Sequence, residues 1–204
     1  MTDIKQIADE IYDKEKTKSY RDLINAYKKN KIAIEQTDYN SSDETYKIYS
    51  ELIADYGIAL TKTKCYKKAI PIINDALDLF TNNKQYSSDT LKDISFYEAL
   101  LFNRGICNFN LYNYELAKTD FELLIKLYPD NSIYPSWKNE FKVKKLYRFR
   151  NVLWYIVSGS VLLEMLFEKQ TLGKNIFLGV ALVSLITSGV IELNIYIRKR
   201  KYPQ

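Results

Sequence analysis

The sequence predicts an all-α protein in which a chain of helix pairs is followed by a hydrophobic helical hairpin. Three observations lead to this fold class. Glycine and proline are scarce, six and four in 204 residues, so the chain lacks the turn residues that sheet-containing folds normally need. Apolar residues before position 145 recur three and four apart, which is the period of an α-helix. Residues 151 to 197 carry few charges.

Residue types that many enzymes need are missing. Histidine is absent, which excludes His-dependent acid–base catalysis and His-containing metal sites. Cys65 and Cys107 form no CxxC motif, and we expect two small apolar side chains rather than a disulfide. No glycine-rich phosphate loop or nucleophile–base pair is visible. The sequence therefore predicts a protein that is not an enzyme, with no catalytic residue, cofactor, metal or small-molecule substrate.

The charge and the tyrosines do not predict nucleic-acid binding. The net charge is +5, but much of the basic excess lies beside the hydrophobic segments. The 18 tyrosines are spread over nearly every predicted helix, with no cluster of basic and aromatic residues on which bases would stack. We expect no nucleic-acid partner.

The segment 98–129 predicts two helices joined by a tight turn, because its helical period breaks once, at residues 111–113. It resembles a tetratricopeptide repeat (TPR) at the positions that are diagnostic for that family. With Glu98 as the first position of the repeat, the matching residues are Leu101, Gly105, Tyr114, Ala117, Phe121 and Pro129. The resemblance implies that Gly105 and Ala117 lie where the two helices cross, that Phe121 fills the gap to the next helix, and that Pro129 ends the second helix.

The same register fits an earlier repeat. Its matching residues are Gly57, Tyr66, Ala69 and Ala76. Gly57 and Gly105 are 48 apart, whereas the family's repeat has about 34 residues. The additional residues, around 81–93, predict a longer loop and an extended following helix, capped by Ser87, Ser88 or Asp89. Ser41 with Glu44 predicts a capping box at the start of the earlier repeat.

The predicted organisation has three parts. Residues 1–38 form a degenerate N-terminal helix pair, with Ile4, Ile7, Ile11, Leu23, Ile24 and Tyr27 on its apolar faces. Residues 39–145 form a TPR-like domain with a capping helix. Residues 146–200 form a transmembrane helical hairpin.

The TPR resemblance implies a right-handed superhelix with a concave groove that holds a peptide or another protein. The lining of this groove is Ala99, Phe102, Asn103, Ile106, Phe109 and Asn110 from the second repeat, with Glu51, Ala54, Asp55, Ile58, Thr61 and Lys62 from the first. The lysine and asparagine clamp of the members that bind chaperone tails is not matched. The apolar lining suits an apolar peptide or helix, and the alternative is that a helix of the same protein fills the groove.

Two hydrophobic segments, 151–167 and 175–197, predict the hairpin. The second is long enough for a hydrocarbon core of about 30 Å, and the first becomes adequate if Leu146, Tyr147 and Phe149 extend it. Basic residues flank both outer ends: Lys142, Lys144, Lys145, Arg148 and Arg150 before the first segment and Arg198, Lys199, Arg200 and Lys201 after the second. The positive-inside rule therefore places the N-terminal domain and the C-terminus in the cytoplasm.

If the two segments pair as an antiparallel hairpin, the residues that face each other can be predicted. Residues 158–160, Ser-Gly-Ser, are expected to lie opposite residues 188–190, Ser-Gly-Val, where small side chains allow close helix approach. Glu192 is expected to reach the cytoplasmic rim or to pair with Arg150. Pro135 is expected to open one long helix that runs to Phe167.

Three functions fit these features. The first is a membrane-anchored scaffold or adaptor, similar to bacterial TPR proteins with a C-terminal hairpin, that recruits a protein partner at the inner membrane. The second is an adaptor that resembles the mitochondrial fission adaptor family, which has one span in the outer membrane. The third is a structural subunit of a larger membrane complex. The number of spans separates the first two.

Overall fold

The computed structural model describes residues 3–82, 88–91, 94–165 and 172–201. These residues form helices and turns without a strand, which confirms the all-α prediction. The helices in this part of the chain are α1 Ile4–Ile11, α2 Tyr20–Glu35, α3 Asp43–Lys62, α4 Tyr66–Thr81, α5 Ser88–Leu91, α6 Ser95–Asn110, α7 Tyr114–Leu127, α8 Ile133–Glu164 and α9 Leu172–Lys201.

The chain divides into two compact units, Met1–Asn131 and Ser132–Gln204. The N-terminal unit contains α1 to α7, and the C-terminal unit contains α8 and α9. The predicted domain boundaries after residues 38 and 145 stay predictions.

The N-terminal unit is built from consecutive helix pairs. α1 packs on α2, α3 on α4 and α6 on α7, and α3 also packs on α6. Hydroxyl or carboxylate caps begin the first three helices, because the side chains of Asp3, Ser19 and Ser42 accept hydrogen bonds from backbone N–H groups in the first turn. The cap of α3 is therefore Ser42, whereas the capping-box prediction named Ser41.

The apolar faces predicted for the first helix pair are largely confirmed. Ile4, Ile7 and Ile11 of α1 are buried, as are Ile24 and Tyr27 of α2. Leu23, also expected on this face, is half-buried. This pair therefore shares a core in the way that the later pairs do.

The two predicted repeats have the same turn between their helices. In the first, the Cys65 N–H donates to the Leu60 carbonyl over 2.8 Å, and in the second the Asn113 N–H donates to the Asn108 carbonyl over 2.9 Å. The residue before each donor has a positive φ, 64° and 66°. This is the left-handed conformation with which many helices end. The two turns are 48 residues apart, which is the offset that the sequence predicted.

Small residues allow the helices of each repeat to cross closely. A Cβ atom placed on Gly105 would lie 3.0 Å from the Phe121 ring, and one on Gly57 would lie 2.9 Å from Ile73 Cγ1. Phe121 itself is 2% exposed, so its ring has little room to move. Helix α7 ends at Leu127, two residues before the proline that was expected to end it. This architecture of repeating helix pairs is compatible with a TPR-like fold.

The connection between the two repeats differs from the prediction. Helix α6 begins at Ser95, after Ile94, which makes no side-chain capping bond. Residues 88–91 form a separate helix of four residues, and Ser87 lies outside the described residues. The predicted extension of α6, with a cap at residues 87–89, was therefore wrong. Within the described residues, α5 lies where the extension of α6 was predicted.

The C-terminal unit is an antiparallel pair of long helices. Arg150 Nη1 of α8 lies 2.6 Å from Glu192 Oε2 of α9. Lys199 Nζ lies 5.3 Å from the centre of the Tyr147 ring. The pair formed by Arg150 and Glu192 is one of the two arrangements expected for Glu192. Helix α8 runs unbroken through 32 residues, with Pro135 in its first turn, where the missing N–H has no helical partner.

The contact between α8 and α9 has a heptad spacing. Its buried residues on α9 are Ala181, Ser184, Ser188, Ile191 and Ile195, and those on α8 include Val143, Leu153, Val157 and Ser160. Serines rather than glycines lie at this contact, because a Cβ placed on Gly159 or Gly189 would meet nothing within 4 Å. Of the small residues that were expected to meet here, Ser160 and Ser188 lie at the contact and Gly159 and Gly189 do not.

One helix in the described part of the chain is long and apolar enough to cross a membrane, at Asn175–Arg200. The first of the two predicted spans does not meet this test. The reason lies in the sequence of α8, where Arg148 and Arg150 precede the apolar stretch and Glu164 follows 14 residues later. Of the two predicted spans, the structure therefore supports only the second, in α9.

Candidate functional site

The residues predicted to line the groove form stripes on two adjacent helices. On α6, Ala99, Phe102, Ile106 and Asn110 are half-buried. On α3, Ile58 is half-buried and Lys62 is exposed. Ile58 and Lys62 lie 48 residues before Ile106 and Asn110, so they are the equivalent positions of the first repeat. Since α3 packs on α6, both stripes belong to one partly accessible surface.

The two phenylalanines of this set belong largely to the core of the second repeat. The Phe102 ring packs edge-on against Phe121 with centroids 6.0 Å apart. Phe109 is 6% exposed, and its ring packs against Tyr114 at 5.7 Å. Both rings therefore support the helix crossing. A partner can contact Ile106 and Asn110 of the α6 stripe with less disturbance of the core than Phe102 and Phe109.

Asn103 supplies a buried acceptor beside this surface. The side chain is 3% exposed, and its Nδ2 donates to the Ala99 carbonyl over 2.7 Å. Its Oδ1 has no hydrogen-bond partner in the described part of the chain. A buried acceptor without a donor costs about 1–3 kcal/mol.

Part of the first repeat's predicted lining is occupied by the protein itself. The Tyr12 hydroxyl donates to Asp55 Oδ2 over 2.7 Å, and α1 packs on α3. Burial raises the pKa of Asp55, and the hydrogen bond from Tyr12 opposes this shift. Ala54 is fully buried, and the Thr61 Oγ1 lies 3.2 Å from Cys107 Sγ at the contact with α6. The accessible lining is therefore the end of α3 that carries Ile58 and Lys62, together with the α6 stripe.

A buried ion pair lies behind the groove and was not anticipated from the sequence. Arg104 Nη2 lies 2.7 Å from Asp120 Oδ1, and Arg104 Nη1 donates to Asn74 Oδ1 over 3.0 Å. The side chain of Asp120 is 4% exposed. Burial raises the pKa of Asp120 and the Arg104 guanidinium opposes this shift. The network joins α6, α7 and α4, and no sequence signal pairs residues so far apart.

A cavity of about 490 Å³ opens on the N-terminal unit between α2, α3 and α4. Four tyrosines and three carboxylates line it. Sequence reasoning did not find it, because its residues come from three helices and from the residues that follow α2 and α4. Separately, no group of histidine, cysteine, aspartate and glutamate side chains able to hold a metal occurs within the described residues.

The C-terminal unit exposes apolar side chains on both of its helices. On α9, Leu182, Leu185, Ile186 and Val190 are each at least half exposed. On α8, Tyr155, Leu162 and Met165 are more than 60% exposed. Contiguous apolar surfaces of this kind indicate contact with a membrane or another protein.

Comparison with known proteins gives one faint similarity. The chain is 27% identical over 115 residues to the peptidyl-prolyl cis-trans isomerase FKBP4 of Mus musculus and to that of Rattus norvegicus. These residues make up 55% of this chain but only 22% of each relative, and the relatives contain TPRs. No protein-family model matches the chain. No solved structure matches it.

Proposed function

We propose that this chain is a membrane-anchored, non-catalytic scaffold that recruits a partner protein through its repeat groove. The observation that carries the proposal is the pair of equivalent, partly accessible stripes on adjacent helices, Ile58 with Lys62 and Ile106 with Asn110. Similarity to a relative that contains TPRs supports a role in protein interaction.

The chemistry of the groove favours a peptide or helix with an apolar face. Ile58 and Ile106 are both half-buried and offer apolar contacts. Apolar anchors that recur along a partner helix fit such a surface. Lys62, which is exposed at the end of α3, favours an acidic residue at one end of the bound segment.

The anchor in this proposal is the C-terminal hairpin, with two spans and with the N-terminal unit and the C-terminus in the cytoplasm. Helix α9 is long and apolar enough to cross a membrane. The antiparallel packing of α8 on α9 and the exposed apolar residues of α8 support a further span in α8. A bacterial inner membrane is the proposed location. No cofactor, nucleic acid or small-molecule substrate takes part in this function.

A second candidate follows from the number of helices that meet the test for a span. The described part of this chain has one such helix, and the mitochondrial fission adaptors have one span, which lies in the outer membrane. A structural subunit with a permanently filled groove is the third candidate, and the contact of Tyr12 with Asp55 favours it for one end of the groove.

Site-specific photo-crosslinking tests the groove. The photoreactive amino acid p-benzoylphenylalanine replaces Ile106 in one variant and Leu116 in a matched control. Leu116 is 60% exposed on α7, away from the groove stripes. We expect irradiation of native membranes to join a second protein to position 106 and not to position 116, and we expect Lys62→Glu to weaken the product.

Two results would contradict the scaffold. Equal products from positions 106 and 116 would mean that the groove is not the binding surface. A product within the same chain at position 106 would mean that another segment of the protein fills the groove, which favours the structural-subunit alternative.

A further inference from the structure

The cavity between α2, α3 and α4 lies apart from the proposed groove. It is lined by residues of α2, α3 and α4 and by Tyr39 and Asn40 from the connection between α2 and α3. The proposed groove instead uses Ile58 and Lys62 of α3 with residues of α6. The volume of about 490 Å³ is within the range of about 300–1,000 Å³ that ligand pockets have.

Tyrosine rings with defined orientations form one side of this cavity. The rings of Tyr39 and Tyr49 are stacked, with centroids 4.7 Å apart and an interplanar angle of 18°. The Tyr46 ring lies edge-on to Tyr39, with centroids 5.9 Å apart. The Tyr46 hydroxyl donates to the Leu79 carbonyl of α4, which fixes this ring across the two helices. Aromatic faces that are held in place attract cations through the negative potential above the ring.

Carboxylates belong to the same lining. Glu35, Asp75 and Asp78 line the cavity, and none of its lining residues is a lysine or an arginine. Glu35 pairs with Lys31 over 3.4 Å, whereas the structure gives Asp75 and Asp78 no ion pair with any described residue. Burial and the neighbouring Asp78 raise the pKa of Asp75. This negative potential arises in a chain whose net charge is positive.

We propose that this cavity binds an organic cation, an ammonium or guanidinium group on an alkyl chain. The tyrosine faces contact the alkyl chain and the charge, and Asp75 and Asp78 accept charge-assisted hydrogen bonds from the N–H groups. Two sources carry this chemistry, a lysine or arginine side chain of a peptide and a free polyamine. The same carboxylates repel phosphate and other anions. This inference does not depend on the scaffold proposal, because it concerns a different surface.

Calorimetric titration of the full chain in detergent micelles tests the proposal. The probes are N-acetyl-arginine amide and N-acetyl-citrulline amide, which have similar shapes and differ in the positive charge. We expect the arginine probe to bind about tenfold or more tightly than the citrulline probe, since cation–π contacts and hydrogen bonds to carboxylates both depend on the charge. Equal binding of the two, or no heat from either, would overturn the proposal.

Two further probes distinguish the sources. Spermidine represents a free polyamine, and a capped tripeptide with arginine at its centre represents a peptide-borne cation. Tighter binding of the tripeptide assigns the cavity to a protein ligand, and tighter binding of spermidine assigns it to a small molecule.

Variants assign the binding to this cavity. Asp75→Asn with Asp78→Asn is expected to weaken the arginine probe about three- to tenfold, the range for two solvent-accessible charge contacts. The matched control, Glu115→Gln with Glu122→Gln, removes two carboxylates from α7 and is expected to leave binding unchanged. Tyr39→Leu is expected to weaken binding, whereas Tyr39→Phe retains the ring and most of the affinity. Binding to the cavity variants that equals wild type would overturn the assignment.

Discussion

The two units of the chain use apolar side chains in opposite ways. The N-terminal unit places them between its helices, where residues such as Leu100 and Leu124 are fully buried. The C-terminal unit buries a narrow line of residues between two helices and exposes others, such as Leu162 and Val183, at 66%. A helix pair has too little interior to bury so many apolar residues. The first unit therefore supplies its own core, whereas the second leaves many of its apolar side chains exposed.

The two units also place charge differently. Asp120 of the N-terminal unit is 4% exposed and depends on Arg104, while Glu192 of the C-terminal unit is 57% exposed beside Arg150. An accessible pair contributes about 0–1 kcal/mol, whereas the loss of one partner of a buried pair costs about 3–5 kcal/mol. Substitutions of the same kind are thus expected to have unequal effects in the two units.

The largest effect is expected for Arg104→Met. The substitution leaves the buried Asp120 carboxylate without its cation, so the free energy of unfolding should fall by about 3–5 kcal/mol near neutral pH. Urea unfolding of the full chain with Cys65→Ala in detergent micelles measures this loss, with the reactivity of Cys107 as the signal, because its thiol is fully buried when the unit is folded. Arg21→Met, on an exposed position of α2, is the control and should change little.

The same variant is expected to show a pH dependence. Burial already raises the pKa of Asp120, and the loss of Arg104 raises it further. The folded state then binds a proton more strongly than the unfolded state, so the stability of the variant should rise as the pH falls from about 7 to about 5. A loss of stability that is independent of pH would mean that Asp120 is not the group left unpaired.

An intermediate effect is expected for Leu185→Arg on the exposed face of α9. An arginine near the centre of a span costs about 2.5–3.5 kcal/mol of insertion free energy, so the membrane-inserted fraction should drop sharply. Alkaline extraction of membranes measures this fraction. Leu116→Arg makes the same change at an exposed position of the N-terminal unit and should leave it unchanged. Full retention of the Leu185→Arg variant would contradict the assignment of α9 as a span.

A smaller effect is expected for Gly105→Ala. The added methyl group meets the buried Phe121 ring at 3.0 Å, and the cost of overpacking should exceed the gain in helix propensity, for a net loss of about 1 kcal/mol. Phe121→Leu in the same chain should relieve the clash, so the double variant should lose less stability than the sum of the losses of the two single variants. Gly189→Ala, where the new Cβ meets nothing within 4 Å, is the control. A stabilised Gly105→Ala variant would mean that α6 and α7 do not cross closely there.

The periodicity and the small residues of the sequence were sufficient to predict most of the fold. Gly57 and Gly105 predicted two equivalent helix crossings, and the structure has both, because close packing excludes larger side chains there. The start of α6 was not predictable, since Ile94 begins that helix without a side-chain cap. The antiparallel register predicted small residues at the contact between α8 and α9, where Ser160 and Ser188 are buried, but it did not specify that the adjacent Gly159 and Gly189 would lie outside the contact.

The candidate sites were predictable only in part. The groove residues follow from a repeat register that is local in sequence, so each could be assigned a helix and a face. Phe109 was assigned to the surface but is buried against Tyr114, because the register does not specify how deeply a side chain lies. The tyrosine cavity and the contact between Arg104 and Asp120 join residues from separate helices, and their formation depends on packing that no local pattern encodes.

The most direct test of a membrane-anchored scaffold is the accessibility of two thiols to a membrane-impermeant maleimide. Cys65 is exposed on the N-terminal unit, and Arg200→Cys, in a chain that carries Cys65→Ala, places a thiol at the end of α9. We expect that in intact cells neither thiol reacts, and that both react once the inner membrane is opened. Reaction of one thiol and protection of the other in intact cells would place the two on opposite sides, which would contradict the two-span hairpin and favour the one-span alternative.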